Sequence, residues 1–435
     1  MARQWNQGRW ELVISDPQQA KDILAKADNF PKRMPGNTSI KVMLAIKFLG
    51  FLNLASADGE EWRRHRRVAN PAFKKTWSTA MFGGCTDNLI DLIKAANGSP
   101  LQVHGLFQRL TLDVLGKGLF SYDFEAISKG EENHYLRLYN DIMSAMMNPF
   151  YGIFPFLETL VPWRQAEHKK TQEFRDFIRG IIRARKAELT DSHDDLLSLM
   201  TRASAGEKEA NLTEDEVISD ICLFFLAGHD TTATTLTTIF YYLCMHPEIQ
   251  VKARQEVNNV LKGEKRIPTT NELKELHYID LIIKESMRII TIVPQLRRYC
   301  REKHTLSNGF TIPEDTFLNL QMWNIHHDEK MYPDPNSFNP DRFLDSHGPE
   351  ANQWMAFGNG SRMCIGKNFS LMEQRVTIAC LLQTFDCVPG PNIAGQTSPT
   401  ISSNGVLCPV NVDVIFNPIV DATALETHLI KHKFY

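Results

Sequence analysis

The stretch Phe357-Gly-Asn-Gly-Ser-Arg-Met-Cys-Ile-Gly366 decides how the rest of the chain is read. It sets one cysteine, Cys364, at the end of a glycine-punctuated loop. From about Lys367 the apolar residues Phe369, Met372, Val376, Ala379 and Cys380 recur at helical spacing. A cysteine just before a helix lies near backbone N–H groups that have no partner within the helix, and their partial positive charge favours the thiolate. Gly358, Gly360 and Gly366 permit backbone conformations and close approaches that a side chain forbids. Arg362, two residues before the cysteine, offers a fixed cation to an anion nearby. Such a loop can present sulfur to a metal while a flat group lies against the backbone. On the cysteine and glycines alone, a buried structural cysteine is the alternative reading.

The full ten-residue pattern narrows the choice. With its Phe, Gly, Gly, Arg, Cys and Gly in register, it is similar to the haem-binding loop of the cytochrome P-450 family, the haem-thiolate monooxygenases. The resemblance implies that Cys364 is the axial ligand to the iron of haem b, where a thiolate donates electron density that favours O–O cleavage. It also implies that Arg362 holds a haem propionate and that Phe357, Gly358 and Gly366 belong to the cofactor site. Other matches extend the likeness over roughly residues 10 to 390.

The bulk numbers are compatible with this. Composition is that of an ordinary globular protein, 43% hydrophobic and 23% charged with net charge −3, so nothing in it calls for nucleic acid. A length of 435 residues on its own allows two or three domains. Eight cysteines, at positions 85, 222, 244, 300, 364, 380, 387 and 408, include no C-x-x-C pair. That is neither a zinc framework nor a secreted disulfide pattern, and it fits a reducing compartment. No run approaches the length of a membrane span, and no signal peptide precedes the first structured segment.

Toward the N-terminus, residues 9–16 read as a strand that stops at Pro17, followed by a short helix to about Ala27. Members of the eukaryotic microsomal type carry a membrane anchor, a proline-rich hinge and another strand before this point. The expectation is that those parts are missing here, most simply through truncation. Residues 37–56 are expected to cover the substrate cavity. In Asp58-Gly-Glu-Glu-Trp-Arg-Arg-His-Arg-Arg67, Trp62 and Arg66 lie four apart and hence on one helical face. In the family, a Trp and an Arg so spaced hydrogen-bond a haem propionate. Arg63, Arg64 and Arg67 then point outward, as a solvated face or as a docking patch for an acidic electron donor. Residues 164–189 read as a surface helix. Met143, Met146, Met147, Phe150, Phe154 and Phe156 form an apolar stripe that is either core or, by resemblance, a flexible roof over the substrate. Residues 201–211 read as a loop or linker.

Thr213-Glu-Asp-Glu216 is a capping-box pattern opening the longest helix, which ends near His246-Pro247. That helix carries Ala227-Gly-His-Asp-Thr-Thr232, where a mid-helix glycine and back-bonding threonines mark a local groove. A plain threonine-rich buried helix is the alternative. The run resembles the family's oxygen-activating segment, which implies that Thr231 hydrogen-bonds the dioxygen and Asp230 joins the proton path. His229 takes no role, and Thr232 is expected to face elsewhere. Glu285-Ser-Met-Arg288 resembles the family's Glu-x-x-Arg, which implies a buried structural cluster with Arg342 of Pro340-Asp-Arg-Phe343. Arg298 matches the arginine for the second propionate, although Thr291-Ile292 replaces the paired prolines usual just before it and Arg297 can compete. Leu306-Ser-Asn-Gly-Phe310 is a hairpin signal. Residues 329–356 lack periodicity, and strand-like alternation follows Pro389. The tail, residues 420–435, carries no readable signal.

The expectation is one mainly α domain over residues 1–435 with a small β portion, enclosing haem. By resemblance it inserts one atom of dioxygen into a lipophilic substrate such as a steroid, fatty acid or secondary metabolite. Its electrons come from NADPH through a flavoprotein reductase, since the chain has neither a flavin nor a nicotinamide fingerprint. The resemblance further implies the cytosolic face of the endoplasmic reticulum, with peripheral membrane contact, and the motif style is most like that of fungal members. Rival readings are a haem-dependent isomerase or dehydratase, and a non-catalytic or truncated haem-binding protein.

Overall fold

The computed structural model describes residues 2–6, 9–32, 43–146, 148, 150, 154, 157–188, 194–205, 211–345, 353–403 and 406–419. Met147, Phe156, Leu189, residues 37–42 of the expected cavity cover, residues 206–210 of the expected linker and the tail 420–435 lie outside these residues. Strand β1 (Ala2–Asn6) runs antiparallel to β2 (Arg9–Ile14). A strand thus stands ahead of the one where the sequence reading began the sheet, and this corrects the expectation of a missing first strand. The segment Arg-Gln-Trp-Asn lacks the apolar alternation that marks a half-buried strand, because β1 is a largely exposed edge.

The helices of seven residues or more follow in chain order. They are α1 (Pro17–Ala25), α2 (Met43–Leu49), α3 (Gly59–Lys74), α4 (Thr79–Ala95), α5 (Val103–Leu115), α6 (His134–Met146), α7 (Pro162–Glu188), α8 (Leu196–Ser204), α9 (Glu214–Met245), α10 (Pro247–Val260), α11 (His277–Ile289) and α12 (Lys367–Thr384). Between α11 and α12 lie β3 (Gln295–Cys300) and β4 (Thr316–Gln321). Helix α8 corrects the reading of residues 201–204 as loop. Asp195 caps it by accepting the Ser198 N–H, and its side chains from Leu196 to Ala203 are buried despite their mixed polarity.

Strand order in the main sheet is β1-β2-β4-β3, with β2 and β4 parallel and the other two pairs antiparallel. Ile14, Ile23, Leu24, Phe30, Leu318, Leu320 and Met355 form a core beneath it. The Asn-Gly signal closes a small hairpin in which His304 pairs Ile312 and Thr305 pairs Thr311. A second sheet places Asp413–Pro418 between Leu101–Gln102 and Phe385–Pro389.

The larger core is helical and centred on α9. Thr213 Oγ1 accepts the Glu216 N–H at 3.2 Å while Glu216 accepts the Thr213 N–H at 2.8 Å, so the capping box forms reciprocally. Beyond this polar start α9 is buried nearly all round, polar side chains included. Its threonines satisfy their hydroxyls on carbonyls one turn back, Thr235 on Thr231 and Thr238 on Thr234. Pro247 cannot continue the ladder, and α10 starts there in a new direction.

Glu285, Arg288 and Arg342, expected from the resemblance to form a buried cluster, are brought together by the structure. Arg288 donates to both Glu285 oxygens at 2.7 and 2.8 Å, and Arg342 Nε and the Asn339 N–H add bonds of 3.1 and 2.9 Å. Glu285 and Arg288 are fully buried. Removing one partner leaves an uncompensated charge away from water, so Glu285→Ala and Arg288→Ala should each lose about 3–5 kcal/mol of unfolding free energy. Denaturant titration measures this, and midpoints equal to that of the parent would contradict the cluster's structural role.

Candidate functional site

A cavity of about 880 Å³, mouth included, lies between α3, α9 and the loop leading into α12. Helical spacing builds two of its walls. Trp62, Arg66 and Phe73 share one face of α3, and Phe224, Ala227, Gly228, Thr231 and Thr232 form a stripe along α9. Leu54, Leu115, Leu119, Leu223 and Phe369 complete a mostly apolar lining. Gly228 lets α9 lie close to Leu115 of α5: a Cβ there would come within 2.6 Å of Leu115 Cδ1, and that side chain would have to turn aside.

The loop Phe357–Gly366 closes the third wall. Gly358 and Gly360 adopt φ of +75° and +70°, which only glycine takes readily. A Cβ on Gly360 would also collide with the Leu24 carbonyl of α1. Gly366 differs, with an ordinary φ of −82°. A Cβ there meets protein only at van der Waals distance, Phe73 Cε1 at 3.9 Å and Cys364 Sγ at 4.0 Å, and the residue lines the cavity. Only an occupant of the cavity would object to it.

Cys364 donates its backbone N–H to the Phe357 carbonyl at 3.0 Å. Among the described cysteines it alone is exposed, and its open surface faces the cavity. Burial by surrounding protein pushes its thiol up, while the Gly366 and Lys367 N–H groups and the cations Arg66 and Lys32 pull it back. The net direction is upward. The N–H groups at the helix start act on the sulfur in the direction expected of them, desolvation outweighs them, and a metal cation would add to their stabilisation of the thiolate.

Cations gather at one end. Arg362 donates to the Ala57 carbonyl at 2.6 Å and Asp58 at 3.1 Å, and its guanidinium lies 4.7 Å from the Trp62 ring centroid. Its Nη1 is buried without a hydrogen-bond partner. Burial, partly offset by Asp58, lowers its pKa to about 10. Arg66 reaches the Met363 carbonyl at 3.3 Å. Arg298 does not line the cavity; it is buried in β3, and desolvation plus the nearby Arg362 lower it to about 10. Its Nη1 donates to the carbonyl of Arg297, the neighbour expected to compete with it. Lys32, which the sequence did not single out, lines the cavity. Protein crowds its other sides, and with Arg362 and Arg298 this lowers it to about 7. Asp58 is the one acidic side chain that acts on Lys32, Arg298 and Arg362 together among the described residues. Surplus buried positive charge and a spare guanidinium N–H suit a ligand with two carboxylates, so the residues present fit haem b with its two propionates.

The outward arginines are less free than expected. Arg64 binds Glu216 through both terminal nitrogens, Arg63 pairs with Asp28 and Glu60, and Arg67 with Glu60. On α9, Thr231 lines the cavity and donates to the Ala227 carbonyl at 2.8 Å. Thr232 also lines it, contrary to expectation, with its hydroxyl 3.0 Å from Ser370 of α12. Asp230 does not reach the cavity. Its carboxylate accepts from Gln108 Nε2 of α5 and the Tyr139 hydroxyl of α6, each at 2.8 Å. His229 is fully buried, with Nδ1 donating to the Phe225 carbonyl.

A helical body, a cysteine presented into an apolar cavity and cations gathered at one end of it fit the haem-thiolate class of protein. A family model described as Cytochrome P450 matches residues 2–411. Cytochrome P450 4A24 of Sus scrofa is 27% identical over 424 residues, covering 92% of this chain and 82% of that one. The Arabidopsis thaliana protein LUTEIN DEFICIENT 5, chloroplastic, is 30% identical, covering 90% and 68%. The 11-oxo-beta-amyrin 30-oxidase of Medicago truncatula is 28% identical, covering 89% and 75%. The heme domain of cytochrome P450DA has the same fold, with a TM-score of 0.82 at 22% identity, covering 96% of this chain and 90% of that one. The chain belongs to the cytochrome P450 family. It is accordingly an oxidoreductase, a haem b monooxygenase that uses dioxygen on lipophilic organic substrates.

The two strained glycines separate in their consequences. Gly358→Ala meets open space and should cost only its left-handed backbone, about 1–2 kcal/mol. Gly360→Ala adds a clash with backbone that cannot yield and should cost distinctly more. Urea unfolding of both variants measures this, and equal losses would show that the loop does not rest on α1.

Proposed function

We propose that this chain hydroxylates or otherwise oxidises a steroid, fatty acid or secondary metabolite, with Cys364 as the axial ligand of haem and electrons from NADPH through a flavoprotein reductase. The observation that carries the reading is the open face of Cys364 in an apolar cavity with cations gathered at one end and, among the described residues, Asp58 as the one acidic side chain to offset them. Haem b, when bound, supplies a reducible iron that activates dioxygen, with the thiolate favouring O–O cleavage. Trp62, Arg66 and Arg362 hold its propionates from the cavity wall, Arg298 joins them by turning its guanidinium from the Arg297 carbonyl, and Phe357, Gly358 and Gly366 shape the loop beneath it. The apolar walls exclude water and select lipophilic substrates.

Thr231 contributes a hydroxyl that can both accept and donate. Facing the cavity, it can turn its proton from the Ala227 carbonyl toward an oxygen placed there. Asp230 stands one residue away with its carboxylate accepting from Gln108 and Tyr139, so joining it to Thr231 in a proton path takes a bridging water. Thr232 ties α9 to α12 through Ser370. Arg63 and Arg67 keep a role in docking the reductase, because exposed ion pairs are worth only about 0–1 kcal/mol and exchange easily.

Among the described residues, no helix is long and apolar enough to cross a membrane. Peripheral contact with the cytosolic face of the endoplasmic reticulum is supported by the edge-on pair Trp5 and Trp10, 59% and 61% exposed on the β1–β2 hairpin. A fungal source stays part of the reading, carried by motif style alone.

Cys364→Ala should abolish the strongly red-shifted absorption of the reduced carbon monoxide complex. Retention of that band would assign the sulfur ligand elsewhere. Thr231→Ala should keep haem and substrate binding but form several-fold less product per NADPH, with the shortfall leaving as hydrogen peroxide. Thr232→Ala should affect stability more than this ratio. Unchanged coupling in Thr231→Ala would remove the oxygen-activation role and favour an isomerase or a haem carrier.

A further inference from the structure

His326 is fully buried and joins three parts of the chain. The backbone N–H of Met355 donates to its Nε2 at 3.1 Å. An amide N–H can only donate, so Nε2 carries no proton and Nδ1 does. Nδ1 then donates to Thr291 Oγ1 at 2.8 Å, and the Thr291 hydroxyl hydrogen passes on to the Arg288 carbonyl at 2.9 Å. The His326 carbonyl accepts in turn from Arg288 Nη1 at 2.8 Å. Each bond in this series has a single available direction. Burial, with Arg288 and His327 nearby, lowers His326 to about 3, so the ring stays neutral and Nε2 stays an acceptor.

The far end of the series is the loop that carries the sulfur. Met355 sits in the core beneath the main sheet, its carbonyl accepts the Gly358 N–H at 2.8 Å, and the Phe357 carbonyl accepts the Cys364 N–H at 3.0 Å. The near end is the buried Glu285–Arg288 pair. We infer that His326, with its tautomer set by Thr291, is a positioning residue that fixes the cysteine loop to the Glu285–Arg288 cluster and so sets where Cys364 stands. Thr291 occupies one of the two positions where the resemblance led us to expect paired prolines, and proline has no hydroxyl to offer. The inference rests on the reading of Cys364 as the iron ligand.

The test uses the haem-loaded full chain. Thr291→Val keeps the shape and removes the hydroxyl, while Thr291→Ser restores it. With Thr291→Val, haem content should hold, but the amides of residues 355–357 should exchange hydrogen about 3- to 10-fold faster, the span expected for one net hydrogen bond. The fraction of the reduced carbon monoxide complex with the thiolate band should fall. Thr291→Ser should match the parent in both. Parent-like behaviour of Thr291→Val, or equal damage in the two variants, overturns the inference. Nitrogen-15 NMR of the histidine-labelled parent decides without any variant. It should show a buried ring protonated at Nδ1 at every pH where the protein stays folded, and an Nε2-protonated His326 overturns the proposal. Loss of the Cys364 reading looks different, because Cys364→Ala would then keep the thiolate band.

Discussion

A carboxylate removed from water must find donors for its lone pairs or give up its charge, and Glu285 finds four. Two come from the arginine three residues on, which a helix sets alongside it. The other two come from the irregular stretch around Asn339 and Arg342, which has no ladder of its own to hold it. One buried charge thus organises a segment that helix and sheet geometry cannot. Arg288 carries the order further, to the carbonyls of His326 and Ser337.

Across the molecule the electrostatic problem is inverted. The cavity end holds Lys32, Arg66, Arg298 and Arg362, and Asp58 offsets only part of their charge. Within protein alone this arrangement is unfavourable, and lowered pKa values of the two buried arginines express it. Burial of the Cys364 thiol works in the same sense. A dianionic group with a metal cation at its centre relieves both strains, so binding of the cofactor and stability of this region are coupled.

Much of this was legible in the residues. The cysteine loop, the Trp62–Arg66 face, the capping box at Thr213 and the Glu285–Arg288 spacing are local patterns in which type and separation carry the information. What stayed hidden depends on partners far along the chain. Asp230 turns away from the cavity because Gln108 and Tyr139, on other helices, offer donors. Lys32 follows a proline in no pattern, and helix α8 is buried through tertiary contacts that its mixed polarity does not announce. Strand β1 is an exposed edge without alternation.

The parallel pairing of β2 with β4 has a consequence for the order of assembly. Ile14 aligns with Leu320, partners about 300 residues apart, and the Gly360 turn rests on the Leu24 carbonyl of α1. Contacts of such long separation carry a large loop-closure cost and form late. During synthesis the β1–β2 hairpin therefore emerges without β4 and waits until most of the chain has left the ribosome. The cysteine loop can settle on α1 only once it too has emerged, so the cofactor site is completed late.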